Sequence, residues 1–170
     1  MQRSAKIVVL ALLAAVGAVA TAGPNAHGSQ GPSRTVLRCD DASMGVPNVR
    51  PAPSEWVIGG RVAIARTIDR SSLEDASGPL RLWTKVGLKV RARAGRVTLA
   101  VPPDWRRRIM LAWSAPSSTV QVQSCTSPPL WRAYAGGFYV AKPACIPLVV
   151  TVGTRVSRVV IGVGVRCSTR

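Results

Sequence analysis

The sequence predicts an all-β protein: an antiparallel β-sandwich of immunoglobulin-like type, with about 7–9 short strands and two disulfides. Three observations carry that expectation. Apolar residues recur at alternate positions, most plainly over residues 80–101. Gly, Pro and Ser break the apolar runs every eight to twelve residues or so, the spacing of short strands joined by turns. Four cysteines follow an export signal, and no stretch has the 3.6-residue period of an amphipathic helix.

The export signal is residues 1–22. Arg3 and Lys6 precede an apolar run over 7–20, and Ala20-Thr21-Ala22 is a small-x-small site, so cleavage is expected after Ala22. The competing reading is a retained membrane anchor. The uncharged stretch 7–22 reaches about 24 Å at 1.5 Å per residue, short of a hydrocarbon core of about 30 Å, which favours cleavage. No later apolar run is long enough to span, so the mature chain is expected to carry no membrane span and to be secreted or held in the cell envelope.

Residues 23–54 read as a flexible Gly/Pro-rich leader, with Pro47, Pro51 and Pro53 opposing regular structure. A single β-sandwich domain is expected over 55–170. Its first strand candidate is 57–67, interrupted at Gly59-Gly60. In the next, Leu80, Leu82, Thr84, Val86, Leu88, Val90, Ala92 and Ala94 alternate with Arg81, Lys85, Lys89, Arg91 and Arg93, which places apolar groups on one face and cations on the other. A turn at Arg93-Ala94-Gly95 is expected to fold Val97, Leu99 and Val101 back on it as a hairpin, ended by Pro102-Pro103. Further candidates are 109–114, 119–124, 137–141, 146–152 and 159–166, with Trp113 and Phe138 assigned to the core. The last two are apolar at consecutive positions, as in strands buried on both faces or covered by a partner. Gly153-Thr154 marks the turn between them, and Gly162 and Gly164 share a strand face where close packing or a bulge is expected.

Export makes Cys39, Cys125, Cys145 and Cys167 a disulfide framework. Loop closure and strand placement favour Cys125–Cys145 with Cys39–Cys167, and a Cys145–Cys167 bridge across the last hairpin competes. No metal is expected, because the cysteines form no C-x-x-C pair and the single histidine, His27, falls in the leader. That histidine also leaves the expected fold without an imidazole for Ser-His-Asp or Cys-His catalysis. No Ser-x-x-Lys occurs, and paired-carboxylate chemistry would have to use Asp69, Glu74, Asp75 or Asp104, of which Glu74-Asp75 reads as a solvated, Ser/Gly-flanked turn. The expectation is therefore no catalysis and no cofactor, with an unrecognised hydrolase as the remotest alternative.

Removal of residues 1–22 leaves 21 Lys+Arg against 7 Asp+Glu, a net charge of +14 on the mature chain. Part of that excess is the solvent side of alternating strands, and its arginine-rich makeup also fits nucleotide bias in the coding sequence. A ligand reading remains. Arg81, Lys85, Lys89, Arg91 and Arg93, on same-face positions about 7 Å apart along a strand with Trp83 and Gly87 at the intervening ones, and continued by Arg106, Arg107 and Arg108, form a candidate anion-binding stripe for nucleic acid, wall polymers or anionic lipid head groups. Trp83 and Trp105 are the candidates for stacking beside it.

The run Gly136-Gly137-Phe138-Tyr139-Val140-Ala141-Lys142-Pro143-Ala144-Cys145-Ile146-Pro147-Leu148, ending at Val165-Arg166-Cys167, with Trp83-Thr84-Lys85-Val86-Gly87 before it, resembles small secreted proteins of actinobacteria. The resemblance covers about residues 80–167 and implies an exported, non-enzymatic β domain. It brings no catalytic or binding residue to carry over. The expected role is an extracellular or cell-envelope interaction module, with a binder of anionic polymers as the alternative.

Overall fold

The computed structural model describes residues 33–41, 49–127 and 130–168. The expected signal peptide, His27 and much of the expected leader lie outside the described residues. In chain order the strands are β1 (Arg34–Leu37), β2 (Glu55–Ile58), β3 (Val62–Ala65), β4 (Thr67–Ile68), β5 (Glu74–Asp75) and β6 (Leu82–Arg91). They continue as β7 (Val97–Ala100), β8 (Ile109–Trp113), β9 (Ala115–Ser117), β10 (Thr119–Val122), β11 (Trp131–Val140), β12 (Ala144–Val152) and β13 (Arg155–Val163). Two 3-10 turns, Arg70–Ser72 and Pro103–Trp105, interrupt them.

The strands form a two-sheet sandwich. One sheet runs β1-β10-β7-β12-β13-β4; the other runs β2-β3-β6-β11-β8-β9, with β5 on the flank of β6. Most pairings are antiparallel, but β1 lies parallel to β10 and β4 parallel to β13. Alternate residues of the two sheets meet in one core: Leu88, Leu111, Trp113, Tyr134 and Phe138 from one, Leu99, Val120, Ile146, Leu148 and Ile161 from the other, all at most 1% exposed. Burial of each such side chain contributes about 1.5–3 kcal/mol. Trp113 meets Phe138 edge-on at 5.5 Å, and its Nε1 donates to the Tyr134 carbonyl at 3.1 Å.

Several expectations are corrected here. Among the described residues thirteen strands replace the expected 7–9, because two- to four-residue strands occupy stretches whose composition reads as loop. One of them, β1, lies inside the segment 23–54 expected to be leader. The alternating stretch does form β6, with Thr84, Val86, Leu88 and Val90 buried, but the expected hairpin onto Val97–Val101 does not exist. β6 pairs β11 and β3, whereas β7 sits in the opposite sheet between β10 and β12. Arg93 at φ 57° and Gly95 at φ 78° carry the chain across the core instead of back along it. The Gly59-Gly60 interruption is a tight hairpin turn with both glycines at positive φ, joining β2 to β3. Gly153 (φ 61°) and Thr154 form the expected turn between β12 and β13.

The disulfides are Cys39–Cys125 and Cys145–Cys167, not the favoured pairing. Leu37 pairs with Val122, so the parallel β1–β10 contact delivers Cys39 to Cys125 across 86 positions. Cys145 faces Gly162, not Cys167. The chain doubles back at Gly164 (φ 66°), and Cys167 returns over Gly162, where a side chain would crowd its Sγ and collide with the Val165 carbonyl.

Candidate functional site

The basic stripe is placed by β6 and by the segments at either end of it. Lys85 stands opposite Gly137, Lys89 opposite Ala133 and Arg91 opposite Trp131, on the outer face of the seven-stranded sheet. Lys85 and Arg91 are exposed, as the alternation predicts. Lys89 is not. Its Nζ donates to Glu55 Oε2 at 2.9 Å and to the Arg50 carbonyl at 3.1 Å, leaving its side chain 15% exposed. Glu55, the first residue of β2, neutralises the cation at the centre of the face, and the Arg50 carbonyl ahead of β2 covers it. Arg81 precedes the strand; Arg93 follows it in a turn, where its carbonyl accepts from Arg61 Nη1 at 2.6 Å. The structure thus divides the expected stripe into separate positions.

Trp83 lies beside Tyr139, ring centroids 4.9 Å apart, and covers Gly137, where an added Cβ would collide with its ring and with the Thr84 carbonyl. Its half-buried indole thereby shields a strand glycine, a structural role that leaves it less available for stacking.

A second group gathers around Trp105, at the 3-10 turn that Pro102-Pro103 initiates. Arg106 turns inward, its Nε donating to the Val101 carbonyl, while Arg107 and Arg108 are exposed. The Arg108 guanidinium rests over the Trp105 ring at 5.5 Å. Trp105 forms a wall shared by two depressions. One, of about 360 Å³, is completed by Arg108, Ala141, Lys142, Ala144 and Ile146. The other, of about 420 Å³, includes Pro103, Asp104, Pro147, Val149 and Arg158. The contact also accounts for the apolar outward side of β12: Pro147 and Val149 are half-covered beside Pro102-Pro103.

Arg158 in turn lines a third depression, of about 340 Å³, with Trp56, Arg66, Thr67 and Val160. Trp56 Nε1 donates to the Val160 carbonyl at 3.1 Å, and Arg66 sits over its ring at 4.7 Å while donating through Nε to the Glu55 carbonyl. Sequence reasoning did not connect Trp56, Arg66, Lys142 and Arg158. The Gly59-Gly60 turn brings Arg66 back towards Trp56, and that turn was the one local signal for the pair.

The Tyr134 hydroxyl is the group whose titration is displaced upward. Burial is the main cause, the Arg132 guanidinium opposes it, and Asp41 and Asp40 add to it. The hydroxyl lies 3.6 Å from Cys125 Sγ. Among the described residues no cluster of His, Cys, Asp and Glu is arranged to hold a metal ion. Comparisons of the chain with protein-family models, curated proteins and solved structures return no match.

Proposed function

We propose that this chain is an exported, non-catalytic β-sandwich that serves as an interaction module in the cell envelope or outside the cell. Two disulfides within a two-sheet core suit an oxidising compartment. The two disulfides are the observation that carries this reading: they join both ends of the described chain to the sandwich, which fits a module built to persist outside the cytoplasm.

A second reading names the partner's chemistry as an anionic polymer. Lys85 and Arg91 favour it, because they project from one sheet face without burial, and an exposed cation pair attracts a polyanion in a salt-dependent way. Chromatography on an anionic resin tests it. The chain should elute later than a Lys85→Glu/Arg91→Glu double variant, and Glu55→Gln/Lys89→Gln should elute with the parent because removing both members of the ion pair leaves the net charge unchanged. Retention indifferent to salt and to the double change removes the anionic-polymer reading.

A further inference from the structure

We infer that the three depressions joined by Trp105 and Arg158 form one binding track for a linear acidic polysaccharide, running beside the β12–β13 hairpin. The inference shares with the anionic-polymer reading the partner's charge and not its site: it gives that partner a chemical class and places it away from Lys85 and Arg91 of β6. The shared walls carry it: Trp105 belongs to the first and second depressions and Arg158 to the second and third, so the three follow one another as subsites.

Each is near the lower end of the roughly 300–1,000 Å³ typical of small-molecule sites, room for a single sugar-sized unit. The walls are largely aliphatic: Ala144 and Ile146 in the first, Pro147 and Val149 in the second, Val159 and Val160 in the third. Such walls suit the C–H face of a pyranose ring, and an indole lines the series at Trp105, between the first two depressions, and again at Trp56 in the third. Cations recur along it. Arg108 and Lys142 line the first depression, Arg158 stands between the second and third, and Arg66 lines the third, against the one carboxylate of Asp104.

A polymer of uronate units repeats that combination, with an apolar ring face and one carboxylate per sugar. An arginine takes such a carboxylate through two parallel hydrogen bonds. Single-stranded nucleic acid fits less well, because its bases stack on open aromatic faces, whereas Arg66 and Arg108 already rest over these two rings. A lipid surface asks for a contiguous patch of protruding apolar side chains, and of the aliphatic walls named here only Val160 is exposed.

Titration of the full chain with polygalacturonate oligomers, followed by tryptophan fluorescence, tests the track. The expected result is saturable binding, weakened about tenfold by Arg158→Glu and by a smaller factor by Arg158→Lys, which keeps the charge but not the paired hydrogen bonds. Arg158 is exposed, so its variants should melt with the parent. The inference is overturned if polygalacturonate does not bind, if Arg158→Glu binds it equally, if a neutral cello-oligosaccharide binds as well, or if poly(dT) displaces it at lower concentration. Resin retention without polygalacturonate binding would sink the track and leave the anionic-polymer reading standing; loss of both would sink both.

Discussion

Two strand pairs of similar length are held together in different ways. β6 and β11 match ten residues in register, from Leu82–Val140 to Arg91–Trp131. Even the nearer of those partners, Arg91 and Trp131, are 40 positions apart, so much of the chain must be ordered before they meet. β12 and β13 match nine residues across a two-residue turn, and the Cys145–Cys167 disulfide closes the far end. The first pair depends on side-chain packing: Phe138 and Tyr134 inside, Trp113 fitted against Gly136, and Trp83 over Gly137. The second relies on local geometry and a covalent link. Long-range pairing is stable here where close packing replaces locality.

The largest expected effect tests the packed pair. Phe138→Ala should cost about 4 kcal/mol, because it deletes a fully buried ring and leaves Trp113 without its edge-on partner. Urea unfolding measures the loss. The local pair should yield less when its link is removed: Cys145→Ser/Cys167→Ser opens a loop spanning 22 positions and should cost about 3 kcal/mol while keeping the sandwich. Should that double variant prove costlier than Phe138→Ala, the hairpin and not the packed pair is the mainstay, and the comparison inverts.

The smallest effect concerns a polar group inside the packed pair. Tyr134 keeps its proton more tightly in the fold than in the unfolded chain. Its contribution is therefore complete below about pH 10 and disappears as pH climbs through the raised value. Melting temperature measured above about pH 10 should fall more steeply for the parent than for Tyr134→Phe. Parallel curves would show that the hydroxyl titrates as it does in the unfolded chain.

The same contrast marks what could be read in advance. The sandwich class followed from alternation and turn spacing, and the β12–β13 turn from Gly153-Thr154, because each depends on neighbours in the chain. Trp113 and Phe138 were legible as core for the same reason. The partner of β6 was not, since its alternation says which face is buried and nothing about which strand lies alongside. The apparent hairpin at Arg93-Ala94-Gly95 looked identical to a true one, but the chain there crosses between sheets. Lys89 was misplaced because its counter-ion comes from Glu55, brought over by β2 and β3.

By itself, then, the sequence determined the two-sheet β class, the outward direction of Lys85 and Arg91, and four cysteines for two disulfides, because period and composition act over a few residues. The tertiary structure alone decided the disulfide partners, the strand order and the meeting of Trp105, Arg158 and Trp56. Those depend on which distant strands share an edge, and that is set by how the two apolar faces close over a single core.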